Sequence, residues 1–259
     1  MVARRVGGVD ATTLPDLLDR LLATDPSRPL VTFYDDATGE RVELSATSFD
    51  NWVAKTANLL QDELGAEPGE QIALLLPTHW QSAVWVWAAA ACGLVITHDH
   101  TLGRDAAVVV CGPDTLETAA AVDARDVVAL SLRPLGGACT EPLPAGVLDY
   151  AVEVPGQADV FVAAVHPNAG DPVVRTAGRT ISHGDLVTTA RAAADSQGLR
   201  AAARLATDLN PADPDELSSG VLAALVAEAS VVLVRNPDPT AHARRNAQER
   251  VTTSVWSRG

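Results

Sequence analysis

Glu67-Pro68-Gly69-Glu70, followed by Gln71-Ile72-Ala73-Leu74-Leu75-Leu76-Pro77, reads as a turn, a strand and a stop. Pro68-Gly69 supplies the turn chemistry. The run 72–76 is apolar without alternation, the pattern of a strand covered on both faces. The next stretch, 80–91, is apolar almost all round. Trp80, Val84, Trp87 and Ala91 make one seam, while Trp85 and Val86 lie off it. A helix of that kind sits between layers, not on a surface. Its Trp side chains read as core packing in preference to a stacking platform for a base or an aromatic acid. A second strand, 94–97, follows the helix.

Outward from this unit, further short apolar runs fall at 30–34, 106–111, 127–132 and 231–234, with amphipathic stretches between them. The expected fold class is α/β, a mostly parallel sheet flanked by helices on both faces. Helix starts carry their own signals. Thr13 with Asp16, Asp114 with Glu117, and Asp213 with Pro214 and Glu216 are spaced as capping boxes. The stretch 45–64 places Phe49, Val53, Leu60 and Leu64 near one face, with Gly65 as C-cap. Residues 133–146 hold three Pro and three Gly and read as a loop. Asn236-Pro237-Asp238-Pro239 opens a last, charged helix. No repeat of twenty to fifty residues is present. One domain, 1–259, is expected, with 236–259 as a helical extension.

Composition excludes several classes. The 259 residues carry 19 Lys plus Arg against 33 Asp plus Glu, a formal charge of −14. Such a chain is a poor partner for a nucleic-acid backbone. The longest near-apolar stretch, 83–96, is too short to span a bilayer, so no membrane segment is expected. The N-terminus shows no apolar signal segment. Cys92, Cys111 and Cys139 cannot all pair and match no zinc spacing, which suits a reducing cytoplasm.

Residues 28–97 resemble the start of the adenylate-forming enzymes, which include acyl-CoA synthetases and nonribosomal adenylation domains. The resemblance rests on Val31-Thr32-Phe33-Tyr34 paired with Val42-Glu43-Leu44, on the helix ending Leu59-Leu60-Gln61-Asp62-Glu63-Leu64-Gly65, on 67–77, and on 80–93. It resumes at Thr180-Ile181-Ser182-His183-Gly184-Asp185-Leu186, which is similar to the family's "[ST]-H-x-N-L", and again over 217–234 and Arg250-Val251-Thr252. The chain is identified as a truncated, degenerate relative of the short actinobacterial type. Its Ala/Arg-rich composition with a single Lys, Lys55, fits a high-GC genome.

The resemblance implies a phosphate loop ending in Gly-x-Pro-Lys-Gly. Here that place reads His166-Pro167-Asn168-Ala169-Gly170-Asp171-Pro172-Val173-Val174. Gly170 and Pro172 remain, the Lys position is Val173, and Asp171 adds a negative charge where phosphate would lie. The family's later adenine, ribose and catalytic-Lys segments have no counterpart before Gly259. The expectation is therefore a non-catalytic binding or interaction module with no cofactor and no catalytic residue. Asn168, Gly170, Asp171, Pro172 and His183 would be the remnant of its nucleotide loop, with room for a small acyl or nucleotide ligand. The alternative is a minimal AMP-forming acid ligase using ATP and Mg²⁺ at a rebuilt site. N–H groups of 166–182 converging on one point would favour the alternative; a flat hairpin would favour the module. Loss of the covering half also predicts a homo-oligomer or a protein partner.

Other candidate chemistry is weaker. His98-Asp99-His100 is a loop at a strand end and a possible pocket wall, but it lacks the closed ligand set of a metal site, and no metal is expected. Ser182, His183 and Asp185 carry triad letters at one helix start, where capping explains them. Cys92 and Cys111 lie in apolar runs and read as inert. Arg244, Arg245 and Arg250 read as a solvated basic face.

Overall fold

A computed structural model describes residues 11–98 and 105–257. At its centre lies helix α3, Trp80–Ala91, whose residues are all buried. A helix apolar on every side has to be covered on every side, and two sheets do this. The expected α/β class holds, but the strands divide between two sheets instead of forming one.

The first sheet contains β1 (Pro29–Asp35), β2 (Glu40–Ser45), β10 (Arg204–Thr207), β11 (Ser230–Arg235) and β12 (Thr253–Val255), in the order β12-β10-β11-β1-β2. The second contains β3 (Gln71–Leu75), β4 (Val95–Thr97), β5 (Val108–Cys111), β6 (Asp126–Ala129), β7 (Val147–Asp149), β8 (Pro172–Arg175) and β9 (Thr180–Ser182), in the order β7-β6-β5-β3-β4-β8-β9. Pairing is parallel except for the hairpins β1/β2 and β8/β9.

Side-chain alternation sorts the layers. Val31, Phe33, Val231 and Leu233 of the first sheet, and Ile72, Leu74, Val108 and Val110 of the second, face the shared core. That core also takes α3, α1 (Leu14–Thr24), α2 (Ala46–Asn58), α5 (Tyr150–Glu153), α6 (His183–Ser196), α7 (Pro214–Leu217) and α8 (Val221–Val226). On the second sheet's outer face, Ala73, Leu75, Val109, Cys111 and Val127 pack with Ala119 of α4 (Leu116–Ala120). On the first sheet's outer face, Ala206, Val232 and Val234 pack with Tyr34, Val251 and Trp256. The strands are apolar without alternation because both faces are covered, as the sequence implied.

Several local expectations need correction. Asp114 does not cap a helix: a 3-10 turn, Pro113–Thr115, intervenes, and the Thr115 hydroxyl accepts the Gly112 N–H at 3.0 Å. Thr13, Ser182 and Asp213 do cap, each accepting a backbone N–H. The helix beginning after Ser45 ends in a π-helical turn, Leu59–Glu63, before Gly65 takes a left-handed φ of 58°. Arg244 and Arg245 of the last helix, α9 (Pro239–Gln248), and Arg250 just beyond it do not form a common basic face. Arg245 is buried and paired with Asp36. Close by, Glu249 accepts from the Tyr34 hydroxyl, Arg41 and Arg204. Buried charge demands such partners, and this network fixes the C-terminal segment to the first sheet.

The core predicts a sharp contrast in stability. Trp87→Ala should lower the free energy of unfolding by about 3–5 kcal/mol. Val160→Ala, on the surface, should stay within about 0.5 kcal/mol. Urea unfolding of both variants checks this, and equal effects would contradict the layer assignment.

Candidate functional site

The segment that the resemblance assigns to phosphate folds into the β8/β9 hairpin and the turn before it. The strands pair Pro172 with Ser182, Val174 with Ile181 and Arg175 with Thr180, with an irregularity between Pro172 and Val174. A bulge of this kind sets two consecutive residues against one partner position. Val173 and Val174 are accordingly both buried in the shared core. The position where the family carries its loop Lys therefore faces inward.

The turn closes on itself. The Asp171 carboxylate accepts the Asn168 N–H at 2.7 Å, and the Asp171 N–H donates to the Asn168 carbonyl at 3.0 Å. The first turn of α6 then docks onto it. The His183 N–H donates to the Asp171 carbonyl at 3.0 Å, the Gly184 N–H to the Ala169 carbonyl at 2.8 Å, and the Asp185 N–H to the Ser182 hydroxyl at 3.2 Å. The N–H groups of a helix start are its natural anion donors. Here peptide carbonyls and a serine occupy them. A Cβ on Gly184 would stand 3.1 Å from the Ala169 carbonyl oxygen, a tight approach that glycine makes without displacing its neighbour. The sequence signal for the closed turn is the Asn168-x-x-Asp171 spacing; Gly184 carries none beyond being a glycine.

His183 contributes its backbone to this turn but not its ring. The ring is buried and turned to α1, where its Nδ1 accepts the Leu14 N–H at 3.5 Å. The pocket-wall residues do not gather here either. The pairing of Ile96 with Val174 carries His98 past the carboxyl end of β4, level with the end of the hairpin opposite the Asn168–Asp171 turn. The His98 Nδ1 is held by the Leu74 carbonyl at 2.6 Å. Asp99 and His100 lie outside the described residues. A shallow cleft of about 260 Å³ opens beside the hairpin, lined by Arg179, Thr180, Asp185, Thr189, Asp215 and Ser218. Among the described residues no group of three His, Cys, Asp or Glu converges as a metal site would, and no helix is long and apolar enough to cross a membrane. Burial pushes the Cys92 and Cys111 thiols up to about 12, so neither is a thiolate near neutral pH.

Two buried histidines serve as helix starters. His79 caps α3 by accepting the Gln81 N–H at its Nδ1, 3.2 Å away. Burial pushes its pKa down to about 3, Arg235 adds to the depression and Asp35 opposes it. Burial pushes His183 down to about 4, against Asp171 and Asp16. Both must stay neutral to accept these N–H groups.

Comparison with known proteins adds kinship to this geometry. No protein-family model matches the chain. A "TIGR03089 family protein" of Mycobacterium tuberculosis is 44% identical over 241 residues, covering 91% of this chain and 95% of that protein. Among solved structures, an acyl-CoA synthetase of Brucella canis superposes with a TM-score of 0.75 at 18% identity, over 94% of this chain and 47% of its own. Acetoacetyl-CoA synthetase from Streptomyces lividans gives 0.75 at 20% identity, over 95% and 42%. The N-terminal domain of FACL13 from M. tuberculosis gives 0.70 at 17% identity, over 92% and 61%. At these identities the likeness is one of fold, and the chain spans between 42% and 61% of those three structures.

The histidines set a pH dependence. Each has a folded pKa below the unfolded value of about 6.5, so the unfolded chain binds the proton first. Their contribution to stability is complete above about pH 6.5. It falls on acidification until pH reaches the folded values, about 4 for His183 and about 3 for His79. The slope is up to about 1.4 kcal/mol per pH unit for each. Urea midpoints should therefore drop between pH 7 and 5, and His183→Asn should flatten that drop. A midpoint independent of pH would contradict the assignment.

Proposed function

This chain belongs to the TIGR03089 family and carries the fold of adenylate-forming enzymes, and from that premise we propose that it is a non-catalytic binding or interaction module. The observation that carries the reading is Asp171. Its carboxylate takes the Asn168 N–H in the turn where the resemblance places the triphosphate. A phosphoryl group brought there meets a fixed negative charge, and Val173 supplies no cation to offset it. Adenylation needs its developing charge held by cations and preorganised donors. In this turn the donors at the start of α6 are already bonded to the chain itself.

The solved enzymes' activities belong to chains about twice as long, and none of them is assigned to this chain. What the reading leaves is a rigid scaffold with two uses: engagement of a protein partner, and retention beside the hairpin of a small acyl ligand or a nucleotide without a triphosphate. In this reading the protein needs neither ATP nor Mg²⁺ as a cofactor.

ATP–pyrophosphate exchange with a broad panel of carboxylic acids should give no signal above a protein-free control. Isothermal titration with ATP and Mg²⁺ should give no heat. Exchange that follows the purified chain, or binding in the micromolar range, would return the minimal acid ligase.

A further inference from the structure

Among the described residues the large apolar side chains that stand exposed are Val152, Val160, Val162 and Val165, at 63%, 75%, 64% and 56%. All four belong to one stretch, 152–165. Scattered exposed valines need no explanation; a group confined to one segment does.

That segment is a strap laid along α2. Lys55 donates to the carbonyls of Pro155 and Gln157. Asn58 donates to those of Ala158 and Val160 at 2.9 and 3.0 Å. Gln61 donates to the Val162 carbonyl at 3.3 Å and accepts the Ala164 N–H at 2.8 Å. Positions 55, 58 and 61 recur at helical spacing and serve the strap as one ladder. Phe161 packs against the core from between Val160 and Val162. Val160 and Val162 are therefore presented outward at alternate positions by a backbone that is already fixed, with Val165 three residues further on. A binding surface fixed in advance loses little entropy on association.

Carboxylates outnumber cations among the residues along the strap. Val152 is followed by Glu153, and Gln61 is followed by the exposed carboxylates Asp62 and Glu63. Asp159 lies within the strap itself. The nearby cation, Lys55, is already committed to Asp159 at 3.1 Å and to the strap carbonyls. A second copy of this chain would bring the same carboxylates, and a formal charge of −14, against its twin. Complementarity instead selects a partner with apolar side chains at alternate positions and cations between them.

We propose that residues 157–165, with Val152 beside them, are the docking surface for a basic, strand-forming segment of another protein. This rests on the interaction-module reading and gives it a place on the molecule.

The test uses the full chain and labelled twelve-residue peptides. One alternates Val and Arg, a second Val and Glu, a third Ser and Arg. Fluorescence anisotropy should show saturable binding of the Val/Arg peptide that weakens between about 0.05 and 0.5 M salt. The other two peptides should bind at least about ten-fold more weakly. The V160S/V162S/V165S variant should lose the Val/Arg peptide by at least about ten-fold while keeping its urea midpoint. Equal binding by that variant, or no saturable binding by the parent chain, overturns the proposal. So does a homodimer in light scattering that the triple variant abolishes, because the occupant would then be a second copy. None of these results bears on pyrophosphate exchange, so a failure here is distinct from a failure of the non-catalytic reading.

Discussion

Helix α3 has twelve residues and no polar face to offer water. Its burial requires apolar cover on every side, and the rest of the architecture follows from supplying it. The two sheets present their inner residues to α3 and its neighbouring helices. Each sheet then has an outer face to cover, which α4 and the C-terminal segment do. The capping of α3 by a buried, neutral His79 belongs to the same constraint. So does the burial of the indole rings of Trp80, Trp85 and Trp87, which fill the space between layers and leave no platform for a ligand.

Much of this is legible in residue order. Strands apolar on both faces, a helix apolar all round and caps at Thr13 and Ser182 are local patterns, and these survive folding, whereas the cap read at Asp114 does not. The division into two sheets is not legible, because strand partners are chosen over long distances: β1 pairs with β11, some two hundred residues on. Arg245 reads as surface charge because its partner, Asp36, is equally remote in sequence. The site is half legible. The change from Lys to Val173 and the added Asp171 can be seen in the sequence. The bulge that turns Val173 inward, and the carbonyls that occupy the start of α6, are facts of backbone geometry. Adjacency groups His183 with the loop, whereas its ring faces α1.

These observations meet in one electrostatic contrast. A phosphate loop works by leaving N–H groups unpaired and adding a cation. The turn at 168–171 does the reverse: the N–H groups of Asn168 and Asp171, and those of His183 and Gly184 docked on it, are bonded within the chain, and a carboxylate is added. A turn built that way is self-sufficient: it holds its own shape without a ligand. The same scaffold holds a strap of exposed valines in place through the hydrogen bonds of α2.

The most direct measurement is an amide NMR titration of the labelled protein with ATP and Mg²⁺, read at Asn168, Ala169, Gly170, Asp171, His183 and Gly184. If the turn is closed by its own carboxylate, these six signals stay where they are up to millimolar nucleotide. Saturable shifts shared by them would mean that the N–H groups open toward phosphate, and would contradict the self-closed turn on which the non-catalytic reading stands.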